Sequence, residues 1–276
     1  MLQVRRYSGT KEGILRQISV VAFLLFFLLS APSLSFAGAI KVIPTKLFLA
    51  GGKKTEVLKV INEGDAKVTI QVEAMKWTQG EGGKDVYEPT EDIAFFPKIF
   101  TVEKGKETLL RIGAKERRSG ERELSYRVFL QEIPVSKPGE TRLTLALRIS
   151  VPVFIKPVKE VKEWGIEKLE LSGGVLLVKV KNSGSSHISV GKMKAKGVDA
   201  SNQEAFQKEE SGWYVLPGVT RTFGIRIPGN ECLKSSSIMV SAESGESKKE
   251  SKLDVDKSQC PKEAQEPAAT DKGGKQ

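Results

Sequence analysis

The chain of 276 residues has one histidine, His187, and two cysteines, Cys232 and Cys260. Serine–histidine chemistry would have to use His187. That residue sits between Ser186 and Ile188, away from any recognisable nucleophile turn, and reads as a lone exposed histidine. With so little to activate a thiolate, a cysteine nucleophile is not expected either. There is no HExxH, no CxxC and no glycine-rich phosphate loop. Gly80-Glu81-Gly82-Gly83 reads as a flexible loop, not a phosphate cradle, because no helix follows it. Acidic residues are numerous but scattered over polar faces. No constellation nominates a reaction, so the expectation is a protein that is not an enzyme and that needs no cofactor or metal.

Two further absences narrow the class. No segment carries an apolar stripe with a 3.6-residue period, which argues against a helical fold. Basic residues exceed acidic ones, 44 to 34, but the excess is spread along the chain. A nucleic-acid surface would show a clustered basic stripe, so nucleic acid is not an expected partner.

Long hydrophobic runs are scarce too. The longest, Ile18 to Leu29, is about 12 to 14 residues, well short of the roughly 20 that span a bilayer. Arg5, Arg6, Lys11 and Arg16 precede it, and Ser35-Phe36-Ala37 follows with small residues at the positions a signal peptidase reads. Residues 1–37 are therefore predicted to be a secretory signal, with no stable membrane insertion once it is cleaved. Removing them takes away those four basic residues and Glu12, and the formal charge falls from +10 to +7. In an exported chain, Cys232 and Cys260 read first as a disulfide closing a 28-residue separation. Chain entropy puts its contribution at roughly 3 to 4 kcal/mol, less any strain.

What remains is long enough for two domains. Turn residues punctuate it every eight to twelve positions, and short runs with period-2 alternation lie between them. Val57 to Ile61 ends at Asn62-Glu63-Gly64-Asp65; Val68 to Ala74 alternates; Thr108 to Ile112 follows Lys104-Gly105; Ser125 to Ile133 is aromatic and β-branched. Evenly spaced short strands predict a β-sandwich. Pro157 to Lys162 reads as a junction, since proline cannot continue a ladder and its neighbours are charged. Beyond it, Val175 to Lys181 ending at Asn182-Ser183-Gly184 echoes Val57 to Gly64. Further strands are expected at Ile188 to Met193, Gly212 to Leu216, Arg221 to Ile227 and Ser237 to Ala242. The predicted organisation is a signal (1–37), a first sandwich (38–157), a second (158–260) and a disordered tail (261–276), which holds no large apolar residue.

Leu143 to Ile155 is the longest alternating run. Leu143, Leu145, Leu147, Ile149, Val151 and Val153 share one face, while Thr144, Ala146, Arg148 and Ser150 begin the other. Taken alone this is a central core strand. Its length exceeds the usual five or six residues, and it follows a polar loop, so its first half would extend past a domain core. An extended apolar edge is an aggregation liability unless another chain pairs with it. Strand addition to a partner is thus the sharper reading.

Four segments in order give the chain a resemblance to the pilus and fimbrial periplasmic chaperones related to PapD. They are Ala39 to Phe48, Val60-Ile61-Asn62-Glu63-Gly64, Tyr126 to Pro134 with its Glu132-Ile133-Pro134 ending, and Leu143 to Pro157. The resemblance implies an all-β fold of two immunoglobulin-like sandwiches set at an angle, with a cleft between them. It also implies donor-strand complementation. A pilus subunit lacks its last strand, and the chaperone fills the gap in the periplasm before delivery to an outer-membrane usher. On that reading Leu143, Leu145 and Leu147 are donor positions, with Ile149 a fourth. Two basic residues would anchor the subunit carboxylate. Lys46 matches the first of these; the second falls on Pro152, which leaves Arg127 and Arg148 as substitutes. Glu123 and Lys156 match an interdomain ionic link. The competing reading is a secreted structural or adhesive pilus or cell-surface protein that uses the same strands only as core.

Overall fold

The computed structural model describes residues 40–49, 54–115, 120–134 and 146–261. The expected signal, most of the expected tail, and Leu143 and Leu145 lie outside the described residues. The protein is all-β, built as two immunoglobulin-like sandwiches with separate cores.

The first sandwich contains β1 (Ile40–Ile43), β2 (Leu47–Leu49), β3 (Thr55–Asn62), β4 (Val68–Gln79), β5 (Asp85–Pro89), β6 (Ile93–Phe96), β7 (Ile99–Val102), β8 (Glu107–Ala114), β9 (Leu124–Ile133) and β10 (Arg148–Ile155). One sheet has the order β1-β3-β8-β6. The other runs β2-β10-β9-β4-β5, with β7 also on β4. Alternation decides what each strand buries. Leu58, Val60, Leu110 and Ile112 from the first sheet meet Ile70, Val72, Val128, Leu130, Val151 and Val153 from the second.

The second sandwich follows with β11 (Trp164–Ser172), β12 (Val175–Asn182), β13 (Ile188–Ser189), β14 (Lys192–Val198), β15 (Glu204–Ser211), β16 (Tyr214–Val215), β17 (Thr220–Arg226), a short helix α1 (Gly229–Lys234), β18 (Ser237–Ser244) and β19 (Ser247–Asp254). The sheet β11-β12-β17 packs Leu176, Val178, Phe223 and Ile225 against Met193, Ala195, Ile238 and Val240 of the sheet β15-β14-β18-β19. Cys232 of α1 and Cys260 form the expected disulfide, with Cα atoms 5.6 Å apart.

The sequence echo between the two domains has a physical basis. At the end of β3 the buried Asn62 donates from Nδ2 to the carbonyls of Ala66 (2.7 Å) and Val102 (2.9 Å), and its Oδ1 accepts from the Gly64 N–H. At the end of β12 the buried Asn182 repeats the pattern, donating to Ser186 (2.9 Å) and Val215 (2.8 Å) and accepting from Gly184. In each case one amide closes a turn and ties it to a distant strand. Replacing the amide leaves two carbonyls and one N–H without their partner in a buried place. Asn182→Ala is therefore expected to destabilise the protein by about 2 to 3 kcal/mol, and Asn62→Ala by a similar amount, as measured by urea unfolding.

The candidate functional site: an open strand edge beside an aromatic cleft

β10 carries the site because its two faces and two edges do different things. Its register with β9 pairs Pro152 with Arg127 and Val153 with Tyr126; its parallel register with β2 pairs Val153 with Leu47 and Ile155 with Leu49. The odd-numbered side chains therefore face the first core. Their burial fades toward the N-terminus of the strand. Val153 and Val151 are buried, Ile149 is half-buried, and Leu147 is 36% exposed. The pairing with β2 covers only Val153–Ile155. From Arg148 to Pro152 the strand has β9 on one side and no paired strand on the other among the described residues. Proline is tolerated at position 152 because this is a sheet edge.

The even-numbered side chains lie on the opposite face, and at the C-terminal end of the strand Phe154 reaches the second domain. Phe154 meets Trp77 and Leu216 in a small buried cluster, against which Phe48, Tyr214 and Val219 pack. Trp77 and Phe154 come from the first domain, Leu216 and Tyr214 from the second. Next to this cluster lies Arg127, only 4% exposed. Its guanidinium carbon is 3.9 Å from the centre of the Trp77 ring, 5.5 Å from Trp213 and 5.4 Å from Tyr214. Its Nε and Nη2 are buried with no hydrogen-bond partner, and no carboxylate forms an ion pair with it among the described residues. Burial pushes its pKa below the ordinary guanidinium value, while Tyr87, Tyr214 and Asp85 oppose that shift. A guanidinium remains charged under such a shift. The result is a caged, unpaired cation at the junction of the two domains.

The other basic candidates are placed differently. Lys46 directly precedes β2 and is exposed, level with Pro152 by continuation of the Leu47–Val153 pairing. Arg148 lies on the same face, four residues from Pro152, but is occupied. It pairs with Glu73 at 3.4 Å and stands 4.2 Å from the Phe129 ring.

The expected ionic partners are not brought together. Lys156 reaches Glu160 at 3.6 Å and lies over Phe48. Glu123, with a side chain 2% exposed, instead receives the backbone N–H of His187 at 3.2 Å and lies 2.7 Å from its Nδ1. The His187 ring stacks on Phe154 with centroids 3.7 Å apart. This corrects the reading of His187 as a lone exposed residue, since its side chain is only 11% exposed and bridges the domains. The Gly80 to Gly83 segment is likewise more than a flexible loop. It forms a 3-10 turn at Glu81–Gly83, and the Gly83 carbonyl accepts from Arg221 of the second domain. A Cβ on Gly83 would come within 2.5 Å of Arg221, so only glycine allows this approach.

Comparison with known proteins bears directly on this architecture. Residues 39–160 match the family described as pili and flagellar-assembly chaperone, PapD N-terminal domain. Residues 39–160 are therefore a PapD-like chaperone N-terminal domain. Solved structures share the fold over both domains. A chain of the CsuC–CsuE chaperone–tip adhesion subunit pre-assembly complex, from archaic chaperone-usher Csu pili of Acinetobacter baumannii, is 19% identical with a TM-score of 0.55. That match covers 78% of this chain and 98% of the other. The YadV chaperone is 15% identical with a TM-score of 0.53, over 79% and 100% of the two chains. No curated protein matches the sequence. Within this PapD-like frame, the junction is closed by a histidine–glutamate contact and aromatic packing.

That contact has a measurable weight. His187→Ala would leave the Glu123 carboxylate buried with a backbone N–H as its remaining donor. A loss of about 2 kcal/mol in urea unfolding is expected. A double-mutant cycle with Glu123→Gln should return a coupling of about 1 kcal/mol, the sign of a direct interaction.

Proposed function

We propose that this protein is a periplasmic chaperone that caps pilus subunits by donor-strand complementation and hands them to an outer-membrane usher. The observation that carries the reading is the edge of β10. From Arg148 to Pro152 the edge facing away from β9 has no strand beside it among the described residues, while its apolar face runs out of the core through Ile149 to the exposed Leu147. The sequence continues that alternation with Leu145 and Leu143. A subunit lacking one strand offers the complementary defect: a groove of apolar pockets and a row of unpaired amides. Each leucine buried there contributes roughly 1.5 to 3 kcal/mol. The PapD-like chaperone N-terminal domain supports this reading over a structural or adhesive role.

In the same proposal Arg127 receives the subunit's terminal carboxylate. It stands on the strand next to Pro152, directly opposite it, where a basic residue on β10 would otherwise be expected. Among the three candidates it is the one whose buried nitrogens lack partners, and a carboxylate supplies the acceptors that they need. Lys46, level with Pro152, is a second cation for the same group.

The test is co-expression with a pilus subunit encoded beside this gene. A soluble one-to-one complex is expected. Leu145→Glu together with Leu147→Glu should abolish it while the free protein keeps its fold by circular dichroism. Arg127→Gln should weaken capture more than Arg148→Gln does. Survival of the complex in the double glutamate variant would rule out the donor-strand reading.

A further inference from the structure

The aromatic cage around Arg127 is held by a single carboxylate. Asp85 opens β5, directly across the β4–β5 hairpin from Gln79. Its Oδ1 accepts from Trp77 Nε1 at 3.0 Å and Gln79 Nε2 at 2.9 Å. Its Oδ2 accepts from Trp213 Nε1 at 2.8 Å. Arg221 Nη1 lies 3.3 Å from Oδ1. Two of these donors belong to the first domain and two to the second. Three of the four donors crowd Oδ1 and one meets Oδ2, so both oxygens of the carboxylate are engaged.

The consequence for Arg127 is indirect. An indole has one hydrogen-bonding handle, its Nε1–H, so a bond there fixes the direction of the ring. Asp85 holds both indoles that face the guanidinium. Gln79, bound to the same carboxylate, donates to the carbonyl of Tyr214 at 2.9 Å and accepts from the Leu216 N–H at 2.9 Å. Asp85 thus fixes two of the three rings around Arg127 directly and, through Gln79, the backbone that carries the third, Tyr214. The carboxylate is also diverted from the cation that it could have paired with. Arg221 and the two indoles occupy its oxygens, while Nε and Nη2 of Arg127 stay unpartnered.

We infer that Asp85 is a positioning residue for the subunit-carboxylate anchor: it holds the indoles of Trp77 and Trp213 and the backbone of Tyr214 around Arg127 and, being paired with Arg221, leaves that guanidinium open to an incoming carboxylate. The inference rests on the reading of Arg127 as the anchor. It predicts that loss of Asp85 acts on recognition of the terminal charge, not on binding of the strand as a whole.

The experiment uses the full mature protein and a synthetic peptide copying the last strand of the co-purified subunit, made with a free C-terminal carboxylate and as the C-terminal amide. The wild type should bind the free acid about tenfold more tightly than the amide, as one charge-assisted contact would give. In Asp85→Asn the amide N–H2 takes the place of one of the two oxygens and opposes the indole N–H bound there, and the preference should fall to about one with amide affinity unchanged. Trp213→Phe keeps a ring at an exposed position but removes its handle, and should lower the preference in the same direction; it decides the matter if Asp85→Asn fails to fold. A wild-type preference retained in both variants would overturn the positioning role and leave the anchor standing. An equal fall for acid and amide would overturn it too, because Asp85 would then only be holding the domains together. A wild type that does not distinguish acid from amide would remove the anchor itself.

Discussion

The structure depends on how β10 is shared. It is paired along its length with β9, yet with β2 for only three residues. Period-2 geometry then forces a division of labour. Odd positions fill the first core, and even positions lie on the opposite face, where Phe154 meets the second domain. A one-residue slip would put Arg148 and Ser150 into the core and Val151 and Val153 into the cleft, so burial pins the register firmly. The same constraint that stabilises the C-terminal half of the strand aims its N-terminal half, apolar face and open edge together, at whatever lies beyond the domain.

The two domains meet through groups that are polar but well supplied with partners. Asp85 gathers donors from both sides, Glu123 meets His187, and Phe154 packs between Trp77, His187 and Tyr214. Interfaces between domains of one chain are commonly small and mobile. Here buried aromatic area supplies attraction, and the carboxylates supply direction, because a hydrogen bond has a preferred line whereas apolar contact does not. The family-like ionic pairing of Glu123 with Lys156 is absent, and Lys156 turns to Glu160 on its own segment.

Much of the fold was legible because it rests on local patterns. Alternation marked β3, β4 and β12; aromatic and β-branched composition marked β9; the paired Asn-x-Gly endings after β3 and β12 marked two related domains; two cysteines behind an expected signal marked one bond. Besides β5, β6, β7 and β11, the strands that escaped notice include β15 and β19. Both lie at the edges of a sheet, and Glu204–Ser211 and Ser247–Asp254 carry charge on both faces, so no alternation shows. Such charge protects an edge from unwanted pairing, and it hides the strand for the same reason. The candidate site was half legible. The exposed end of β10 follows from its own sequence. The cage does not, because Trp77, Asp85, Arg127, Trp213 and Arg221 come from five separated segments. Only the tertiary fold shows that Arg127 is the buried, unpaired member of the basic set, and that His187 has a glutamate beside it.

Arg127 also links occupancy to lifetime. A guanidinium kept from water without a counter-charge lowers the stability of the free fold. A ligand that binds the folded form alone raises it by mass action. On the proposed anchoring, the empty protein opens more often than the loaded one and is the better substrate for proteases. The chain's abundance would then follow the supply of subunits with no dedicated sensor, because the residue proposed to grip the cargo is also a buried cation without an ion-pair partner among the described residues when no cargo is bound.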